Sequence, residues 1–165
     1  MDAGLHVGPE SVAETREWIL DRADRVVPLI NRVRADMETV FETEIDPVST
    51  DAYAEAVTTV FDDGDRAANV AGLVAVLRAL DVTGDYPGFV VDELIGRELA
   101  ATIAGEQPLR LLAEATFHFV DATFHPEDGT AGTDDLDAAL AAGFQTRLPG
   151  WPWQETPGPF DELPR

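Results

Sequence analysis

The 165-residue sequence has no cysteine and no lysine. Without thiols it can form no disulfide, thiolate nucleophile or cysteine-ligated metal centre. Without lysine it cannot form a Schiff base through a lysine side chain. Serine occurs only as Ser11 and Ser49, both at apparent helix starts, which makes a serine nucleophile improbable. Gly-x-Ser-x-Gly, Gly-x-x-x-x-Gly-Lys and Gly-x-Gly-x-x-Gly are also missing. No apolar run reaches the roughly 20 residues that a bilayer span needs. The first residues lack the basic start and apolar run of a secretory signal, so a cytoplasmic protein is expected. No segment alternates as a half-buried strand would.

Positive charge is scarce. Arginine supplies all 11 basic residues against 32 Asp and Glu, for a net charge of −21. Such a field repels nucleic-acid phosphates and anionic bilayers, so neither nucleic acid nor membrane insertion is expected. A hydrophobic content of 45% is too high for a disordered acidic chain. Dense carboxylates on a foldable core predict a halophilic protein whose self-repulsion is screened by molar salt.

What remains is a helical chain. Residues 66–80 carry only Arg66, Asn69 and Arg78 as polar side chains. A helix apolar nearly all round belongs inside a core, so this stretch is expected to be the central helix. Asp62-Asp63-Gly64-Asp65 before it suits an N-cap, and lacks the spacing of an EF-hand loop. Upstream, Ser11 and Glu14 match a capping box. They open a seam of Val12, Ile19, Ala23, Val26, Ile30, Val33, Met37 and Val40, long enough to pack on the bundle or to pair with a second chain. Pro28 lies off the seam and should kink or split the helix. Helices are also expected from Ser49 or Thr50 to Phe61, from about Phe89 to Ala104 with Val91, Leu94, Ile95, Leu99 and Ile103 as its apolar residues, and from Pro108 to about Phe124. A last short one starts at Thr133 and ends at Gly143. The expected fold is all-α: a single-domain bundle of five to seven helices over residues 1–143, around the helix at 66–80. An extended Pro/Trp-rich tail, 144–165, follows it.

Three groups of residues could carry function. Trp151, Trp153 and Phe160 lie between prolines in the tail; aromatics of this kind anchor interfaces, which points to a protein partner or self-association. Glu114, His118, Asp121 and His125 fall on one helical face, and imidazole with carboxylate suits a divalent transition metal. That face lies opposite the apolar one, where solvated ion pairs are the simpler reading, and its spacing departs from Glu-x-x-His. Asn69 and Arg78 are polar exceptions on an apolar helix and could orient a ligand. The reading that fits best is a non-catalytic interaction protein (adaptor, regulator or accessory subunit) of a halophilic cytoplasm. The alternative is a helical-bundle metalloprotein or enzyme that uses the His/carboxylate face.

Overall fold

The computed structural model describes residues 4–80, 90–123 and 131–150, with side chains left undescribed at 123 and 131–134. All regular structure among these residues is helical: α1 Pro9–Asp21, α2 Ala23–Phe41, α3 Thr50–Asp62, α4 Gly64–Ala79, α5 Val91–Ala104, α6 Leu109–Thr123 and α7 Ala131–Gln145. The fold class is all-α. No described helix is long and apolar enough to cross a membrane.

The first helix starts earlier than its capping signature predicts. Gly8 is the N-cap and Pro9 the first helical residue. Ser11 lies inside the first turn, where its hydroxyl accepts from the Gly8 N–H at 2.8 Å and donates to the Gly8 carbonyl at 3.0 Å. Glu14 is exposed and plays no part in the cap. The chain does break, but at Arg22 rather than at Pro28. Pro28 and Asp24 both face solvent, so water can replace the hydrogen bond that the proline ring removes from the Asp24 carbonyl. At the break the Arg22 guanidinium grips Asp137 of α7 through two hydrogen bonds of 2.8 Å.

The seam closes within the molecule. Ile19, Val26, Ile30, Val33 and Met37 are buried, and α2 packs against α3 and α7. Its last member, Val40, is 65% exposed. The face that would have paired with a second chain is therefore already used.

Helix α4 buries Ala67, Val70, Ala71, Val74 and Leu77. Leu73 and Val76 are only half-buried and Asn69 and Arg78 are exposed, so α4 keeps one side open. The helix buried on every side, over its described side chains, is α7. From Asp135 to Thr146 all are buried except half-buried Asp137. It contacts α2, α3, α4, α5 and α6. Its alanines make that possible, because backbones approach where side chains are small. Gly143 is the extreme case. A Cβ there would lie 2.8 Å from the Ile103 Cβ and 3.0 Å from the Ala100 carbonyl. Gly143 is thus a packing glycine within α7, not the end of a helix. On α5 the expected apolar residues divide, with Leu99 and Ile103 in the core. Asp92, Gly96, Leu99, Ala100 and Ile103 are buried, whereas Val91 and Leu94 are 43% and 51% exposed.

The bundle does not end at residue 143. Phe144 and Leu148 are core residues, and Phe144 meets Tyr53 edge-on at 5.4 Å. Arg34 fixes the chain beyond α7. It is buried and all five of its N–H groups are used. Nε donates to Gln145 Oε1, Nη1 to the carbonyls of Asp46 and Pro149, and Nη2 to those of Gln145 and Leu148. Gly150 closes the clasp at φ +104, with Arg34 Nη1 2.9 Å from where a Cβ would stand.

Candidate functional site

The open side of α4 forms one wall of a groove of about 940 Å³. Local rules build its rim. Asp63 caps α4, its carboxylate accepting from the Arg66 N–H at 3.1 Å. Arg66 therefore sits in the first turn, beside the end of α5. Gly105 terminates α5 at φ +97, and a Cβ there would lie 2.8 Å from Arg66 Nη2 and 3.1 Å from Arg147 Nη2. Carbonyls at a helix C-terminus lack intrahelical partners and carry partial negative charge, and two further arginines serve them. Arg110 donates to the carbonyls of Ala101 and Gly105. Arg147 donates to those of Ile103 and Ala104. Burial, and then Arg66 beside it, lowers the pKa of Arg147.

Three of the chain's 11 arginines thus converge on one helix end, in a molecule of charge −21. Arg66 and Arg110 face the groove and also pair with Asp63 at 3.6 Å and Glu98 at 3.2 Å. The apolar share of the lining comes from Leu73 and Val76 of α4 and from Leu5 and Val7 of the N-terminal segment. Leu5 and Val7 are 56% and 42% exposed. A lining of guanidinium, amide and aliphatic groups can hold an extended segment that carries both apolar and anionic side chains.

Asn69 and Arg78 are not brought together. They are nine residues apart, two and a half turns, and so point to opposite sides of α4. Asn69 lines the groove. Arg78 lies over the Trp18 ring at 4.5 Å, and Arg22 over the same ring at 4.6 Å. Arg78 therefore acts on a tryptophan of its own bundle, through a cation–π contact.

The His/carboxylate stripe is divided. His118 is exposed, Glu114 half-buried, and His125 lies outside the described residues. Asp121 turns instead towards the neighbouring helices. It joins Asp92 of α5 and Asp135 of α7, both buried. Burial, followed by hydrogen bonds with Asp92 and Asp121, pushes the Asp135 pKa up to about 10. At neutral pH Asp135 is therefore protonated and tied to its two neighbours. Glu93 is raised as well, by burial and by its contact with Asp121, with His118 opposing. Among the described residues no group of three or more His, Asp or Glu is arranged to hold a metal ion. The cluster ties three helix ends through a retained proton. Asp92-Glu93 at a helix start is one of several acidic pairs that could join the stripe, and in so acidic a chain no spacing singles out Asp135.

Trp151, Trp153 and Phe160 lie outside the described residues. Neither the curated proteins nor the solved structures include a significant match to the chain. One family model, described as Domain of unknown function (DUF7984), matches residues 5–163, and the chain belongs to that family.

Proposed function

We propose that the protein works by binding: a non-catalytic helical interaction protein, acting as adaptor, regulator or accessory subunit in a halophilic cytoplasm. Its recognition surface is the groove between the N-terminal segment, α4 and the C-terminal end of α5. One observation carries this reading: exposed Leu5 and Val7 stand beside Arg66 and Arg110 on the same groove. Large apolar side chains next to fixed guanidinium groups are a common composition for partner recognition. The acidic exterior keeps the protein soluble in molar salt, and the groove supplies what that exterior lacks. Trp151, Trp153 and Phe160 belong to the same proposal as aromatic contacts.

The test is affinity capture from a halophilic host, in molar KCl throughout. The expected result is one stoichiometric partner, retained by the wild-type protein and lost by the Leu5→Asp/Val7→Asp double variant. Both positions are exposed, so the variant should stay folded. Recovery of the same proteins with either form would overturn the groove as the recognition surface.

A further inference from the structure

We propose that the Gly105 end of the groove is a carboxylate site, where Arg66, flanked by Arg147, holds an acidic side chain of the bound partner. The inference rests on the groove being a recognition surface. It names what that surface selects: an extended segment with an acidic residue and, about three positions away, an aliphatic one.

Three observations lead to it. The first is an unspent cation. Arg22, Arg34, Arg110 and Arg147 all donate hydrogen bonds from their guanidinium groups. Among the described residues Arg66 has a single ion-pair partner, Asp63, at 3.6 Å, which is beyond hydrogen-bond distance. Its side chain is only 24% exposed, yet it lines the groove. A half-buried guanidinium whose donors are not taken up gains strongly from an incoming carboxylate.

The second is the space beside it. Gly105 also lines the groove and has no side chain. The point where a Cβ would stand is 2.8 Å from Arg66 Nη2 and 3.1 Å from Arg147 Nη2. A carboxylate resting over the bare Gly105 Cα is therefore within reach of two guanidinium groups. The two cations repel each other, which contributes to the lowered pKa of Arg147, and an anion between them relieves that repulsion. Asp63, Asp65 and Glu98 also line the groove, but all three are exposed to solvent. In molar salt the screening length is about 3 Å, so contact at Gly105 outweighs the chain's net charge.

The third is register. Arg66, Asn69, Leu73 and Val76 all line the groove. They follow one another at steps of three and four, so they run along one side of α4. Leu73 lies about 10 Å along the helix from Arg66. Three residues of polyproline II chain cover about 9 Å and return to the same side. Between them the exposed Asn69 amide offers a donor and an acceptor to the partner's backbone.

The test is NMR of the full chain in molar KCl, following the Arg66 Nε–H and the Asn69 side-chain amide signals. The probes are acetyl-Glu-Pro-Pro-Leu-amide and its reverse, acetyl-Leu-Pro-Pro-Glu-amide. Their glutamine counterparts and potassium acetate serve as comparisons. The expected result is that one glutamate peptide shifts both signals saturably, and that its glutamine counterpart binds about tenfold more weakly or worse. Arg66→Gln should weaken binding by a similar factor and leave circular dichroism unchanged, since no side-chain hydrogen bond from Arg66 supports the fold. Four outcomes would overturn the proposal. Neither signal moves with either peptide. The glutamate and glutamine peptides bind alike. Arg66→Gln binds as the wild type does. Acetate saturates the signals at the peptide's concentration, which would assign the site to a small free anion. The glutamine comparison uses the wild-type protein, so it decides the matter even if Arg66→Gln unfolds. The affinity capture fails separately. A partner lost by Leu5→Asp/Val7→Asp and kept by Arg66→Gln would leave the recognition surface standing and remove the carboxylate site.

Discussion

At Arg34, chain segments more than a hundred positions apart meet in one side chain. Its guanidinium binds backbone carbonyls of Asp46, Gln145, Leu148 and Pro149. Replacing it with methionine keeps the volume and strips those carbonyls of their donor. Each hydrogen bond from a charged donor is worth about 1.5–3 kcal/mol, and the losses do not simply add. Arg34→Met should therefore cost at least about 3 kcal/mol, read by chemical denaturation at fixed KCl. Arg34→Lys should recover only part, because an ammonium has three donors and no fork. Asp135 gives a second prediction, in pH. Its folded pKa, about 10, is raised above the ordinary aspartate value of 3.8. Between those values the native state holds a proton that the unfolded chain has lost, so this group's stabilisation is complete below about pH 4 and declines as pH rises towards 10. Asp135→Asn, which keeps a donor without an ionisable proton, should flatten it. The variant should exceed the wild type in melting temperature by a margin that widens from pH 6 to pH 9. A constant margin would count against the retained proton.

Among the elements, each described helix overlaps a stretch expected to be helical, but burial on more than one face was not legible. The expected start of α3 at Ser49 or Thr50 holds because Ser49 is a regular N-cap, accepting from the Ala52 N–H at 3.1 Å. Gly105 ends α5 at positive φ, as a glycine past a helix terminus should. The break at Arg22 has no local breaker residue to mark it, and the partner that Arg22 meets there, Asp137, is 115 positions away. The sequence predicts a shorter helix at α7, 133–143, because small residues have no periodicity to mark a face. Its centrality comes from backbone approach, which hydrophobic pattern does not record. Gly143 tests that approach. Alanine is better than glycine in an isolated helix by up to about 1 kcal/mol, but overpacking costs about 1–3 kcal/mol. With the Ile103 Cβ only 2.8 Å from the added atom, overpacking should win, and Gly143→Ala should melt lower than the wild type. The two sides of α4 separate in the same way. Leu77 is 1% exposed and Leu73 borders the groove, so Leu77→Asp should abolish the helical circular dichroism signal and Leu73→Asp should leave it. Of the candidate site, only Asn69 was legible. The arginine convergence joins residues from α4, from α6 and from beyond α7.

On the scale of the whole molecule, charge sets the conditions under which everything else holds. At −21 the folded chain repels itself, and in molar salt the screening length falls to about 3 Å. Circular dichroism should show partial unfolding at low salt and recovery in concentrated KCl. A melting temperature independent of salt would remove the halophilic reading.

The position of α7 in the chain also has a consequence for synthesis. The helix that the others pack around is the last of the seven described. While a ribosome is still making the earlier six, the faces that they turn to α7 have nothing to close on. The nascent chain must wait, with those apolar faces exposed, until residues 131–150 emerge, and a chain that stalls before them is left open to aggregation. Fragment 1–130 should therefore be insoluble or unfolded when made alone.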